Sequence, residues 1–110
     1  MKITARRNGG ELRIILSGEL DHHAARNAIP QISKLIDIEL PTKIVLDFEY
    51  VSFMDSSGIA LVIGAYKRSN SIGSAFSVIN TSKQAYKVFN AAGICKIVNI
   101  SERENSLVNN

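Results

Sequence analysis

The densest group of side chains that could carry chemistry is Ser52–Gly58, which reads S-F-M-D-S-S-G between an apolar strand candidate at 44–46 and an apolar helix candidate at 59–66. A strand that continues as a helix through a loop directs free N–H groups and the positive end of the helix dipole to that loop. Asp55 or Ser56 can cap the helix, because each side chain supplies an acceptor oxygen. A hydroxyl not used for capping would suit a phosphate. A doubly secured helix start with no further role fits the same four residues D-S-S-G.

A second polar group is Asp21-His22-His23, which is similar to the signature of phosphoesterases that bind paired metal ions. Such a site needs more ligands, and the chain has only these two His and one Cys, which also disfavours structural zinc. A nucleophilic set of Ser56, His23 and Asp21 lacks the G-x-S-x-G turn. No glycine-rich phosphate loop is present. We therefore expect no catalytic residue, no metal and no cofactor, with Asp21 capping a helix.

Asp47 ends the third predicted strand, as the phosphoacceptor acid does in receiver domains. A receiver site also needs an acid pair after the first strand, where this chain has Thr4-Ala5-Arg6. The metal of such a site would be poorly held. The receiver interpretation therefore fails.

Bulk composition indicates one soluble domain spanning residues 1–110. Its 45% hydrophobic and 21% charged content is typical of globular proteins. The longest apolar stretch, 59–66, is interrupted by Gly64 and is too short to span a membrane, and residues 1–10 lack the apolar core of a signal peptide. The lone Cys95 fits a reducing compartment. We expect a cytoplasmic protein with no membrane partner.

Charge is distributed unevenly around a net value of +3. The first 55 residues hold eight acids and seven bases, whereas 56–101 contain no acid. The bases of that second stretch are Lys67, Arg68, Lys83, Lys87 and Lys96. This pattern suggests an acidic partner or a nucleic acid, and a solvated basic face is its commonest explanation. No aromatic stacking platform accompanies the bases, so we expect no direct nucleic-acid binding.

Apolar patterns predict strands at 2–6, 11–17, 43–47, 75–79 and 97–100. Apolar residues alternate with others in 11–17, whereas 43–47 is nearly all apolar, as in a central strand. Asn8-Gly9-Gly10 is typical of a hairpin turn and makes the first two strands antiparallel. Gly18 to Asp21 is expected to break the second strand.

Helices are expected after Asp21, after the Ser52–Gly58 loop and after Ser82. A final polar helix or tail is expected from Ser101, with Glu104 completing a capping box. Pro30 predicts a kink or a late start in the first helix. Gly64 would let the second helix approach the sheet closely, and Gly93 would end the third in a left-handed conformation.

The resulting order, β-β-α-β-α-β-α-β-α, predicts an α/β fold. We expect a mainly parallel sheet of four to five strands with an antiparallel edge strand, and about four helices on one face. The loops after strands two, three and four then meet at the carboxyl edge of the sheet. That edge would bring together 21–23, 55–58 and 80–82, and it is where open α/β sheets usually bind ligands.

Four segments together resemble a STAS domain: Gly18–His23, Ile44–Leu46, Ser52–Gly58 and Ala92–Ile94. The similarity is greatest to the sporulation anti-sigma factor antagonists of spore-forming bacteria, and it covers about residues 3 to 105. G-E-L-D-H-H combined with F-M-D-S-S-G is specific, whereas either motif alone is weak. The chain departs from the family at Pro30, where relatives usually have an uninterrupted helix.

The resemblance implies a protein-binding switch. An antagonist of this family docks on an anti-sigma factor and releases a sigma factor. The anti-sigma factor is also a serine kinase, and it phosphorylates the serine after the motif aspartate, here Ser56. A serine phosphatase reverses the modification. The partner-binding residues implied at the carboxyl edge are Asp21, His22, Asp55, Ser56, Ser57, Gly58, Ile59, Thr81 and Ser82.

A STAS module that binds a small ligand or nucleotide is the alternative, with Asp21 and the hydroxyl-rich edge as its pocket. A deep polar pocket at that edge would favour the module. A flat, partly apolar patch around Ile59 would favour the switch.

Overall fold

One five-stranded sheet organises the chain. The computed structural model describes residues 1–104. Its elements are β1 (Lys2–Asn8), β2 (Glu11–Leu20), α1 (His22–Glu39), β3 (Lys43–Met54), α2 (Ser57–Ser71), β4 (Ala75–Thr81), α3 (Lys83–Ala91), a 3-10 turn (Ile94–Lys96) and β5 (Asn99–Glu102). The strands lie side by side in chain order, with β1 antiparallel to β2 and every other neighbouring pair parallel. The predicted sheet with an antiparallel edge is confirmed.

The β1–β2 hairpin forms where the glycines predict it. Two residues, Gly9 and Gly10, separate the strands, and Gly9 has a φ of 59°. This left-handed conformation has little steric cost for glycine. The hairpin places β1 at one edge of the sheet, with Asn8 opposite Glu11.

A single core lies between the helices and one face of the sheet. Along β2, Leu12, Ile14 and Leu16 are buried, whereas the residues between them are only half-buried. This alternation is the pattern of a strand with one face against the core. The helices contribute Ile32 and Ile36 from α1, Leu61 and Val62 from α2, and Phe89 from α3 to the same cluster. The opposite face of the sheet, called here the open face, carries Arg13, Ile15, Ser17 and Asp47.

β2 and β3 both run further than the sequence predicts. β2 continues through Gly18 to Leu20, and β3 includes 52–54, which the sequence places in a loop. The two strands pair as far as Leu20 opposite Met54, with register shifts on the way. Gly18 has a φ of 118° beside one of these irregularities. Burial of Leu20 and Met54 stabilises the extension.

Two helix details also differ from expectation. α1 begins at His22 and continues past Pro30, so the late start is wrong; Pro30 lies on the exposed side of α1, between the buried Ala28 and Ile32. Burial on both sides of the proline offsets the backbone hydrogen bond that it removes. Gly64 is exposed, and a Cβ added there would have no atom within 4 Å, so Gly64 permits no close packing.

The C-terminal part corrects a third expectation. Ser101 and Glu102 belong to β5, not to the start of a helix, so residues 1–104 contain three α-helices rather than about four. The Ser101 carbonyl accepts a hydrogen bond from Thr81 Oγ1, and the Arg103 N–H donates to the Thr81 carbonyl. These bonds hold the segment against β4. The rest of the helix predicted from Ser101 lies outside the described residues.

Candidate functional site

The turn between β3 and α2 gives Asp55 and Ser56 different roles. Asp55 Oδ1 accepts a hydrogen bond of 2.8 Å from the Ser57 N–H, so Asp55 satisfies the first turn of α2. Ser56 occupies the N-cap position, yet its side chain makes no capping hydrogen bond. It is also exposed. The Ser56 hydroxyl is therefore open to solvent and has no capping function.

Gly58 sets how closely α2 approaches the end of β3. Gly58 is buried, and a Cβ placed on it would lie 2.3 Å from Met54 Sδ. Met54 is itself fully buried, so it has little room to move. Ser57 and Ile59, on either side of Gly58, are half-buried. A small residue at this position brings the start of the helix down onto the strand.

Asp21 and His22 lie beside this turn. Asp21 Oδ1 accepts a 2.9 Å hydrogen bond from the Ala24 N–H, which confirms Asp21 as the cap of α1. The Asp55 N–H donates to the Leu20 carbonyl at 3.2 Å and so joins the two loops directly. His22 is exposed and borders a shallow groove that Ser57 also borders. The structure thus brings together the first two predicted loops.

The third predicted loop, residues 80–82, also lies near this turn, and both of its hydroxyl side chains make hydrogen bonds within the fold. Thr81 is fully buried and donates to the Ser101 carbonyl at 3.0 Å. Ser82 Oγ accepts a 3.0 Å hydrogen bond from the Ala85 N–H and caps α3. The Thr81 hydroxyl is therefore closed to a partner, whereas the half-buried Ser82 hydroxyl can still donate a hydrogen bond.

Gln84 is the residue that ties α3 to the site, and no sequence pattern singles it out. Its Nε2 donates to the Met54 carbonyl at 2.6 Å, and its Oε1 accepts from the Met54 N–H at 3.0 Å. The amide thus pairs with the backbone of the last residue of β3 as a neighbouring strand would. This pair of hydrogen bonds fixes the strand end from which the Asp55–Ser56 turn begins.

The residues that meet at this edge are called here the docking edge, defined as Asp21, His22, Asp55, Ser56, Ser57, Gly58 and Ile59. A shallow, largely apolar groove of about 240 Å³ crosses it between α1 and α2. Arg26 on α1 lines that groove and was not among the predicted site residues. It lies one helical turn after His22, a spacing that places both on the same side of α1.

A polar cavity of about 290 Å³ lies on the other side of Asp21. Its lining comes from β1, the end of β2 and α1, and it includes Glu19, Asp21, His23 and Gln31. None of the hydroxyls at 56, 57, 81 or 82 reaches it. The cavity and the hydroxyl-rich edge are therefore separate features.

Asp47 lies within β3 on the open face, not at the docking edge. Its carboxylate accepts hydrogen bonds from Arg13 Nε, Asn80 Nδ2 and the Glu49 N–H at 3.1, 3.0 and 2.9 Å. These contacts tie β2, β3 and β4 together, which accounts for an acid in this strand. Within residues 1–104, no three His, Cys, Asp or Glu side chains are placed to hold a metal ion.

Comparison with known sequences identifies the family. The STAS domain profile matches residues 2–107, and the chain belongs to the STAS domain family. It is 32% identical to the anti-sigma F factor antagonist of Paenibacillus polymyxa over 104 residues, which cover 94% of this chain and 89% of that one. It is 38% identical to the anti-sigma F factor antagonist of Lysinibacillus sphaericus over 81 residues, covering 74% and 69%.

Solved structures agree with this assignment. The anti-sigma factor antagonist SpoIIAA in its unphosphorylated form superposes with a TM-score of 0.76 at 29% identity, covering 98% of this chain and 92% of that one. The Bacillus cell fate determinant SpoIIAA in the phosphorylated form gives 0.69 at 30% identity, covering 98% of both chains. In the described part of this chain, no helix is both long and apolar enough to cross a membrane.

Proposed function

We propose that this chain is a cytoplasmic anti-sigma factor antagonist that acts by binding and not by catalysis. Its unphosphorylated form binds an anti-sigma factor that is also a serine kinase, and this binding releases a sigma factor. Phosphorylation of Ser56 ends the binding, and a serine phosphatase restores it. The docking edge is the contact surface for the anti-sigma factor.

The observation that carries this proposal is the exposed Ser56 hydroxyl, which Asp55 relieves of any capping function. A kinase can reach such a hydroxyl without opening the helix. The names of the two relatives support an anti-sigma factor as partner. A similar protein solved in unphosphorylated and phosphorylated forms supports control by phosphate.

Electrostatics explain how the phosphate would act. Phosphorylation adds about −1.5 to −2 charges at neutral pH. The N-terminus of α2 tolerates an anion, so the fold need not rearrange. A bulky dianion in the middle of the docking edge blocks a partner sterically, and it repels acidic groups on that partner. We therefore expect phosphorylation to act by occupying the interface.

The ligand-binding alternative has weaker support. It requires Asp21 and the edge hydroxyls to line one pocket, whereas the polar cavity contains Asp21 and none of those hydroxyls. The groove that does reach Ser57 is shallow and mostly apolar. Such a surface suits a protein better than a nucleotide.

Phosphorylation of Ser56 is tested by mass spectrometry of the purified chain after incubation with ATP and the anti-sigma F factor of Paenibacillus polymyxa. We expect one added phosphate on the wild type, one on Ser57→Ala and none on Ser56→Ala. The Ser57→Ala variant is a matched control, because it removes the adjacent hydroxyl. Stoichiometric labelling of Ser56→Ala would show that Ser56 is not the acceptor.

The proposal that a negative charge at residue 56 blocks binding of the anti-sigma factor is tested with Ser56→Asp and Ser56→Ala. We expect Ser56→Asp to give the wild-type circular dichroism spectrum but at least about tenfold weaker binding to the same anti-sigma factor by calorimetry. Ser56→Ala should bind like the wild type. Wild-type affinity in the Asp variant would contradict the blocking mechanism.

A further inference from the structure

A second surface groove lies further along α2 than the docking edge, between α2 and the 3-10 turn. It has a volume of about 290 Å³, and its lining is almost entirely apolar. The residues that line it are Ile63, Tyr66, Lys67, Ile94, Ile97 and Val98. We call it the α2 groove. Ile94 and Val98 form a buried floor, whereas Ile97 is 61% exposed at its margin.

The backbone around the α2 groove holds this shape. Gly93 has a φ of 77°, and the N–H groups of Ile97 and Val98 both donate to the Ile94 carbonyl at 2.9 Å. The turn therefore satisfies its own hydrogen bonds while it directs Ile97 outward. On the opposite wall, Tyr66 packs edge-to-face against Phe76, with ring centroids 6.0 Å apart. Contacts within the chain therefore fix both walls of the α2 groove without a partner.

The 3-10 turn is also fixed to α3. The side chain of Cys95 lies beside that of Tyr86 on α3, and this neighbour raises the pKa of Tyr86 above its ordinary value. This contact joins the turn that carries Ile97 to the neighbouring helix. Ile97 extends the apolar lining of the α2 groove onto the surface of the protein.

The charges beside the α2 groove are positive and unpaired. Lys67 lines it, and Lys96 is next to Ile97 in the chain. Neither lysine takes part in a salt bridge among the described residues. Arg68, by contrast, is paired with Asp37 of α1. Residues 56–101 contain no acid that could balance the two lysines locally.

We propose that the α2 groove binds an acidic amphipathic helix of the anti-sigma factor, with apolar side chains in the groove and carboxylates on Lys67 and Lys96. This inference rests on the proposed function. An apolar groove flanked by cations is complementary to a helix with an apolar stripe and acids beside it. The exposed margin at Ile97 suits a macromolecular surface better than an enclosed small ligand.

The α2 groove and the docking edge share one side of α2. Ile59, Ile63 and Lys67 follow one another at four-residue spacing, so they form one stripe along α2. Ile59 belongs to the docking edge, whereas Ile63 and Lys67 line the α2 groove. Ser56 and Lys67 are 11 residues apart in the chain, or about 16 Å along the helix axis. A single partner can therefore contact both surfaces.

The chemistry of the α2 groove is tested without the anti-sigma factor. The probes are two synthetic helical peptides of about 16 residues, with Leu in one stripe and either Glu or Lys at the flanking positions. We expect the Glu peptide to shift the backbone amide signals of 63–67 and 94–98 in the ¹⁵N-labelled chain, and the Lys peptide to leave them unchanged. No shift with the Glu peptide, or equal shifts with both, would overturn the proposal.

The identity of the partner is tested with charge and polarity changes. Ile97→Glu and Lys67→Glu should each weaken binding of the Paenibacillus polymyxa anti-sigma F factor by about tenfold or more. Ile38→Glu and Lys34→Glu are the matched controls, since both positions are exposed on α1 and Ile38 is 64% exposed. Both controls should bind like the wild type.

Failure of the proposed function and failure of the α2 groove proposal give different results. If the wild type does not bind the anti-sigma factor, the proposed function is contradicted for this pair, and the peptide titration still decides what the α2 groove accepts. If the wild type binds and both groove variants bind equally well, the proposed function stands and the α2 groove is not part of the interface.

Discussion

At the level of single residues, adjacent side chains at the docking edge differ in what they do for the fold. The Asp55 carboxylate holds the first turn of α2, and Asp21 and Ser82 hold those of α1 and α3. The Ser56 side chain makes no capping hydrogen bond. Removing a capping side chain costs stability, whereas changing an exposed side chain without a partner costs little. The fold therefore depends on the Asp55 side chain, and the neighbouring Ser56 side chain is left available for the proposed phosphorylation.

Substitutions of Asp21 separate its capping role from a role in docking. Asn caps helices about as well as Asp but carries no charge. We expect Asp21→Asn to unfold near the wild-type temperature and to bind the anti-sigma factor more weakly, and Asp21→Ala to lose about 0.5–2 kcal/mol of unfolding free energy as well. Calorimetric melting and binding titrations measure both effects. Wild-type binding by Asp21→Asn would leave Asp21 as a helix cap only.

At the level of elements, the two glycines of α2 occupy opposite environments. Gly58 faces the end of β3 and has no room for a methyl group, whereas Gly64 faces solvent with nothing nearby. A helical glycine lowers stability relative to alanine unless its small size is needed. Gly58 is needed where α2 meets Met54, and Gly64 is not.

This difference predicts opposite signs for the same substitution. Gly58→Ala should lower the free energy of unfolding by about 1–3 kcal/mol, because Met54 must repack in a filled core. Gly64→Ala should raise it by about 0.5–1 kcal/mol through helix propensity. Urea unfolding of both variants and the wild type measures the change. Equal effects of the two substitutions would contradict the close approach at Gly58.

The sequence predicts the strands, turns and helices that have strong local patterns. It does not predict features that depend on contacts between residues far apart in the chain. Alternating apolar residues and the Gly9-Gly10 turn predict the sheet and its antiparallel edge, and the side-chain oxygen of Asp21 predicts the first cap. The extension of β3 through 52–54 depends on pairing with β2, which no local pattern contains. The contacts of Gln84 and the environment of Gly64 likewise follow from tertiary structure. Only the structure shows that the Asp55 side chain, and not that of Ser56, accepts a hydrogen bond from the first turn of α2.

At the level of the whole molecule, a network of polar contacts joins the strands on the open face of the sheet. Asp47 of β3 accepts hydrogen bonds from Arg13 of β2 and Asn80 at the end of β4. The Asp47 carboxylate is 10% exposed, so solvent screens it little. Asn80 has a φ of 61°, a conformation that asparagine tolerates better than most residues. Three neighbouring strands therefore share one carboxylate.

Removal of this carboxylate should destabilise the sheet. Asp47→Ala leaves the Arg13 guanidinium and the Asn80 amide without their acceptor, and we expect a loss of about 1–3 kcal/mol in chemical denaturation. Asp37→Ala is the control, because it breaks a surface pair with Arg68 in which both side chains are about 45% exposed. That variant should lose at most about 1 kcal/mol. A similar loss in both would show that Asp47 is no more important than a surface acid.

The free Ser56 hydroxyl has a consequence for the lifetime of the protein in a cell. The Ser56 side chain makes no capping hydrogen bond, so the phosphorylated and unphosphorylated forms should unfold with nearly equal free energies. Protein abundance depends on how often a chain unfolds and meets a protease, so neither form would be degraded faster. The ratio of phosphorylated to unphosphorylated protein would then depend only on the rates of phosphorylation and dephosphorylation.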